Sequence, residues 1–183
     1  MKIILQPVAA NLDYNALCLL AKDISQEFEN IKVTIGTSSI EPRKDIDFQS
    51  AFDRRRNQWH SFKLLEWFLG KFNHVRGTKI LGILDIDAYS SGFDFVFGEA
   101  FYRGSVAAVY LSRLNQEFYG LKPNSSLLYE RMVKEAIHEL GHAFGFVHCK
   151  NPRCVMHFST SLPDIDTKER SFCYSCGRKA HFR

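Results

Sequence analysis

Three histidines and a glutamate near residue 140 have the types and spacing of a metal-dependent hydrolase site. His138, Glu139 and His142 form an H-E-x-x-H sequence, and His148 follows six residues later. Residues four apart lie on one face of a helix, so both imidazoles of the sequence can reach one ion. Glu139 is rotated about 100° from His138 and lies beside the ion without having to bind it. These residues predict a zinc site with Glu139 as its general base.

Gly145 and His148 extend this motif. Gly145 follows His142 by three residues, and glycine is the usual residue where a helix ends in a left-handed turn. The chain can then turn back and present His148 as a third ligand. Ordinary histidines are the alternative, because a bare H-E-x-x-H also occurs by chance. The match of all five positions favours a catalytic zinc.

Three protein ligands leave the fourth zinc position open for water. Zinc lowers the pKa of that water to about 7, which makes it a usable nucleophile. Glu139 would accept its proton during attack on a peptide carbonyl and pass it to the leaving amine. The motif therefore predicts a zinc metallopeptidase in which Glu139 activates a zinc-bound water.

Four of the five cysteines follow the histidine motif and predict a second metal site. Four residues separate Cys149 from Cys154 and two separate Cys173 from Cys176, which is the spacing of structural zinc sites. Four thiolates leave no position for a substrate, so this zinc would order the C-terminal segment. Free or disulfide-bonded cysteines are the alternative, but a reducing compartment favours metal. The sequence thus predicts two zinc ions per chain, one catalytic and one structural.

Three further residues call for an interpretation. Met156 alone would indicate core packing, but after an extended zinc motif it predicts a Met-turn beneath the metal. Cys18 lies on an apolar helix face and is expected in the core. Glu135 precedes Glu139 by one helical turn and is a candidate for orienting a ligand histidine.

The elements that must position the site alternate between strand and helix patterns. The patterns predict strands at 2–9, 31–38, 78–86, 93–101 and 104–112, and helices at 13–29, from 62 to between 72 and 77, and at 125–145. Alternating strands and helices imply a mostly parallel sheet. The short connection at Arg103 predicts a hairpin, which places one antiparallel strand near an edge. We therefore expect an α/β fold with a mixed, mostly parallel five-stranded twisted sheet, flanking helices and an active-site helix.

Length and composition suit one soluble domain. A chain of 183 residues can bury roughly 70% of its unfolded surface, and 45% of its residues are apolar. The net charge of +4 does not indicate nucleic acid. The apolar run near Met1 is too short for a secretory signal, and no run approaches the ~18 residues of a membrane span. We expect a cytoplasmic monomer without nucleic-acid or membrane partners.

The combination of motifs resembles the archaemetzincin family, in the metzincin clan of zinc metallopeptidases. The run from His138 to His148 is similar to the metzincin zinc motif, and Met156 is similar to the Met-turn. The four cysteines interleaved with that methionine resemble the second zinc site of the archaemetzincins. The strict motifs cover residues 138–176, and the strand order extends the likeness to the rest of the chain.

The resemblance implies one metzincin-like catalytic domain over residues 1–183. Residues 1–148 would form the upper subdomain with the active-site helix, and residues 149–183 a small C-terminal zinc-stabilised subdomain. The resemblance also implies a peptide substrate. Residues 93–101 would hold it as the edge strand, by adding the peptide to the sheet.

Two other functions compete with the peptidase. Four cysteines with nearby Arg170, Arg178, Lys179 and Arg183 would suit a zinc-binding nucleic-acid or protein-interaction module. Such a module has no need of Glu139 beside an open zinc position. A catalytically inactive metzincin-like protein that keeps its metal for stability is the other alternative.

Overall fold

The computed structural model describes residues 1–8, 14–36, 44–72 and 77–178. Within these ranges the strands are β1 Lys2–Val8, β2 Lys32–Ile35, β3 Phe52–Asp53, β4 Gln58–His60, β5 Thr78–Leu84, β6 Ala88–Ser90, β7 Phe93–Val96, β8 Gly98–Ala100 and β9 Val106–Tyr110. The helices are α1 Tyr14–Glu27, α2 Ile46–Gln49, α3 Ser61–Phe72, α4 Ser125–Phe144, α5 Leu162–Thr167 and α6 Tyr174–Gly177, with a 3-10 helix at Gln116–Tyr119. The predicted element ends at residues 9, 13, 37 and 38, and at 73–76, lie outside the described residues.

The main sheet has the five-stranded, mostly parallel arrangement that the sequence predicts. Its order is β2-β1-β5-β9-β8, and only β8 runs antiparallel to its neighbour, at the edge. Buried side chains of α1 and α4 cover one face, and those of α3 cover the other. Strands covered on both faces need apolar residues on both sides, which explains the continuous apolar runs.

The prediction of a single strand over residues 93–101 is wrong in one respect. This segment forms two strands that belong to different sheets. β7 pairs with β6 in a small sheet of order β3-β4-β6-β7, whereas β8 pairs with β9 in the main sheet. The chain changes sheets at Phe97, which is buried in the main core. Gly92, with a φ of 85°, lies in the tight turn that folds β7 back onto β6. The whole run is apolar enough that no change of period marks this division.

Helix α4 begins and ends where its sequence signals place it. The Asn124 side chain accepts a hydrogen bond from the Leu127 N–H at 3.0 Å, and Gly145 ends the helix with a φ of 96°. Residues 131–141 are all buried between the sheet, α1 and the C-terminal segment. Among the residues that the structure describes, none of the helices is both long and apolar enough to cross a membrane.

Helix α1 corrects the expectation for Cys18, which is exposed. The buried positions of this helix are Leu17, Leu20 and Ile24. Cys18 follows Leu17 directly and is therefore rotated about 100° away from that face.

The packing of Gly82 in the central strand generates a stability prediction. A Cβ at Gly82 would overlap the ring of Phe68, whereas a Cβ at Gly70 on α3 would meet no atom within 4 Å. Gly82→Ala should lower the free energy of unfolding by about 1–3 kcal/mol, because the core must shift. Gly70→Ala should raise it by about 0.5–1 kcal/mol, because alanine favours the helix. Urea denaturation followed by circular dichroism measures both, and equal effects would contradict this packing.

Candidate metal centre

Three imidazoles converge at the C-terminal half of α4. The Nε2 atom of His142 lies 3.1 Å from Nε2 of His138 and 3.2 Å from Nε2 of His148. A tetrahedral zinc with bonds of 2.0–2.1 Å would hold its nitrogen ligands about 3.3 Å apart. These two distances are close to the separation that one shared ion requires, and the ligand atoms of all three histidines lie within 4.8 Å of one another.

Backbone carbonyl groups fix two of these rings. The Nδ1–H of His138 donates to the Val155 carbonyl at 2.8 Å, and the Nδ1–H of His142 donates to the Phe146 carbonyl at 2.9 Å. A carbonyl oxygen only accepts, so these bonds select the tautomer in which Nε2 carries a free lone pair. Both rings are thus oriented for binding a metal through Nε2.

Complete or partial removal from water keeps the three imidazoles neutral. Burial holds the pKa of His138 well below its usual range and lowers the pKa of His142. His148 is more exposed, but partial desolvation of its ring and the neighbouring His142 lower its pKa to about 4. A neutral imidazole is the form that binds metal, so at neutral pH no proton has to leave these rings first.

The left-handed end of α4 brings His148 back to the helix. The Gly145 N–H donates to the His142 carbonyl and the Phe146 N–H to the Gly141 carbonyl, both at 2.9 Å. The chain then reverses, and the exposed His148 faces His138 and His142. The geometry of this turn follows the prediction made from Gly145.

Glu139 lies beside the imidazoles and under the edge strand. It is 5% exposed, and a Cβ on Gly98 of β8 would come within 2.5 Å of its Cγ. Burial raises the pKa of Glu139 well above its usual range, and the charges of Glu135 and Glu99 raise it further. Only glycine at position 98 allows the strand to approach this carboxyl so closely.

Met156 packs against α4 on the side opposite to the edge strand β8. It is fully buried, and a Cβ on Gly141 would overlap its sulfur atom. The Cys149 N–H donates to the Met156 carbonyl at 2.9 Å. The predicted Met-turn residue therefore packs against Gly141, the residue that precedes His142 in the zinc motif.

The four cysteines form a second cluster. The sulfur atoms of Cys149, Cys154, Cys173 and Cys176 all lie within 4.8 Å of one another, and those of Cys149 and Cys173 are 3.8 Å apart. A tetrahedral zinc with Zn–S bonds near 2.3 Å gives sulfur separations of about 3.8 Å, whereas a disulfide bond is about 2.05 Å long. The backbone N–H of Cys176 lowers the pKa of Cys173 to about 7, which favours its thiolate. The spacing thus fits a metal and not disulfides.

A buried ion pair supports the floor of the site, and sequence reasoning missed it. Lys168 Nζ lies 2.6 Å from Glu135 Oε1, and the two side chains are 0% and 4% exposed. Glu135 therefore pairs with Lys168, whereas His138 and His142 turn their second nitrogens to carbonyl groups. The sequence gives a partial signal for this pair, because Glu135 lies one helical turn before Glu139. Nothing in the sequence marks Lys168 as its partner.

A cleft of about 550 Å³ opens above the imidazoles. Residues 93–100 of β7 and β8 form one wall, α4 forms the floor, and residues 158–160 form the other wall. The hydroxyl of Ser159 is buried in this wall and has no hydrogen-bond partner among the described residues. Sequence reasoning did not single out residues 158–160, because they follow Met156 without a recognisable spacing.

Comparison with known proteins agrees with this geometry. The sequence profile of a family described as Peptidase family M54 matches residues 49–181. Archaemetzincin of Pyrococcus furiosus is 39% identical over 185 residues, covering 99% of this chain and 93% of that protein. The crystal structure of Archaemetzincin from Methanopyrus kandleri has a TM-score of 0.79 at 31% identity, covering 98% of this chain and 92% of that one. A zinc-dependent peptidase from Methanocorpusculum labreanum has a TM-score of 0.80 at 32% identity, covering 95% and 97%.

An H-E-x-x-H helix beneath the antiparallel edge strand of a mixed sheet defines a zinc metallopeptidase of the metzincin type. The profile matches well over half of the chain, and the similarity to an archaemetzincin extends over nearly all of it. The chain belongs to peptidase family M54, the archaemetzincins, as the motifs predicted.

The ion pair beneath the site generates a second stability prediction. Lys168→Met should lower the free energy of unfolding by about 3–5 kcal/mol, because it leaves Glu135 buried without a partner. Adding Glu135→Leu should restore much of this loss, since no buried charge remains. Lys22→Met, at an exposed lysine of α1, is the matched control. Denaturant unfolding gives the comparison, and a Lys168 variant as stable as the control would refute the buried pair.

Proposed function

We propose that this metallopeptidase hydrolyses peptide bonds at a zinc ion held by His138, His142 and His148, with Glu139 as general base. The observation that carries the proposal is the convergence of three imidazoles beside the buried carboxyl of Glu139. Nε2 of His142 lies 3.1 and 3.2 Å from the Nε2 atoms of His138 and His148, and the three ligand atoms lie within 4.8 Å of one another. The cleft above them leaves room for a substrate.

Zinc bound there would polarise the peptide carbonyl and lower the pKa of water. Glu139 accepts the proton of the attacking water and returns it to the leaving amine. The raised pKa of Glu139 suits this exchange, because it makes the carboxylate a stronger base than an ordinary glutamate. Gly98 and α4 keep bulk water away from the Glu139 carboxyl, so that its proton goes to the substrate.

We further propose that Cys149, Cys154, Cys173 and Cys176 hold a second, structural zinc. Four sulfur atoms at metal-type spacing would fill its coordination shell. Its role would be to fix the segment that carries Val155 and Met156, which contact the helix of the catalytic site. This support explains why a segment with few buried apolar residues can keep a defined shape.

The edge strand β8 offers a peptide its free backbone groups. The Tyr110 N–H donates to the Phe97 carbonyl and the Phe101 N–H to the Val106 carbonyl, so the odd-numbered residues here bond to β9. In an antiparallel ladder the alternate residues point the other way. The N–H groups of Gly98 and Ala100 therefore point into the cleft, where an extended peptide would pair with them.

A zinc-binding nucleic-acid or protein-interaction module is the second candidate function. The ion pairs of the C-terminal segment argue against it. Arg170 makes ion pairs with Asp23 and Glu130. It therefore fastens the segment to α1 and α4 instead of facing a partner. Lys179 and Arg183 lie outside the described residues.

The role of Glu139 is tested by Glu139→Gln, which keeps the side-chain volume. The variant should retain both zinc ions but lose about 10²–10⁴-fold in kcat/KM, because the base is gone. Glu66→Gln, at an exposed glutamate of α3, is the matched control. A quenched-fluorescence peptide library gives the rates and plasma mass spectrometry the zinc content. Cleavage by Glu139→Gln at the parental rate would contradict the role of Glu139 as general base.

The role of β8 is tested by Ala100→Pro. This change removes one N–H that faces the cleft and leaves the bonds to β9 in place. Binding of a peptide hydroxamate should weaken by about fivefold, which corresponds to one hydrogen bond. Ala100→Ser keeps the N–H and should bind normally. A folded, zinc-replete proline variant with unchanged Kd would rule out pairing at this position.

A further inference from the structure

Two phenylalanine rings meet across the cleft. Phe93, at the start of β7, belongs to one wall, and Phe158 belongs to the other. Their ring centroids are 6.1 Å apart with an edge-to-face angle of 63°, although the residues are 51% and 42% exposed. We call this pair the aromatic bridge. It is a direct contact, because edge-to-face pairs have centroids 4.5–7 Å apart.

The aromatic bridge stands across the path of an extended peptide between the two walls. A peptide that pairs with a strand lies about 4.8 Å from it, and its side chains need further space above and below. Two rings in contact fill that space. A chain lying along the wall formed by 93–100 must therefore end before the aromatic bridge or push the rings apart.

The aromatic bridge also stands close to the catalytic groups. The ring of Phe158 is 4.8 Å from the imidazole of His148. On the other wall, Phe93 precedes by five positions Gly98, the residue that covers Glu139. This distance is at most about 17 Å in an extended chain. A bound peptide would thus meet the rings within about five residues.

We propose that the aromatic bridge limits how far a substrate extends beyond the scissile bond on this side of the cleft. The substrates are then short peptides or the ends of longer chains, and not the interior segments of long chains. Phe93 and Phe158 are the residues that determine this specificity. The inference rests on the proposed function, because it places the scissile bond at the three histidines.

The test uses peptide hydroxamates, whose zinc-binding group anchors one end at the metal. In two series the peptide is lengthened from two to six residues, in one series on each side of the hydroxamate. The Kd of each compound is measured on the zinc-loaded protein. In one series the affinity should fall by about tenfold before the peptide reaches six residues, because longer peptides must open the aromatic bridge. The other series should show no such fall.

Variants locate the cause of that fall. Phe158→Ala and Phe93→Ala should each abolish it, whereas Phe118→Ala should keep it. Phe118 is a comparable control because it is 46% exposed and does not line the cleft. If Phe158→Ala disturbs His148, zinc content will show it, and Phe93→Ala on the opposite wall still decides the matter.

Two results would overturn the inference alone. One is a Kd of the parent protein that does not change with peptide length in either series. The other is a loss of affinity with length that persists in both Phe93→Ala and Phe158→Ala. A zinc-loaded protein that binds no hydroxamate of any length would overturn the proposed function together with the inference. The two failures are therefore distinguishable.

Discussion

The hydrogen bond from the His138 Nδ1–H to the Val155 carbonyl joins the two candidate metal centres. Val155 follows Cys154, and its own N–H donates to the Ser171 carbonyl at 3.0 Å, two residues before Cys173. The carbonyl that orients an imidazole is thus held by the same short segments that carry the cysteines. Whatever fixes the cysteine cluster also fixes the tautomer and direction of His138.

The rest of the site follows from how closely other elements approach α4. Gly98 lets the edge strand lie directly on Glu139, and Gly141 lets the Met156 sulfur lie directly beneath the helix. The helix is therefore covered on both sides, which removes Glu139 from water and raises its pKa. The same burial encloses Glu135, and Lys168 supplies the charge that makes its burial tolerable.

Local patterns were enough to predict the parts of this arrangement that depend on neighbours in sequence. Helix α4, its glycine end and the convergence of the three histidines follow from spacing along one helix and one turn. The main sheet follows from alternating strands and helices. Contacts between distant segments could not be predicted, because neither member of a pair marks the other. The Lys168–Glu135 pair and the aromatic bridge are of this kind, as is the division at Phe97, which depends on two sheets that only the fold brings together.

Replacing a cysteine tests the link between the centres most directly. Cys173→Ser should remove the zinc proposed for the cysteine cluster and also weaken zinc binding at the three histidines, since the Val155 carbonyl is no longer held. Chelator competition on the purified protein measures that affinity, and Cys18→Ser, an exposed cysteine outside the cluster, is the control. The account predicts weaker binding at the histidine site in Cys173→Ser only. A Cys173→Ser protein that keeps one zinc at this site with the parental affinity would contradict it.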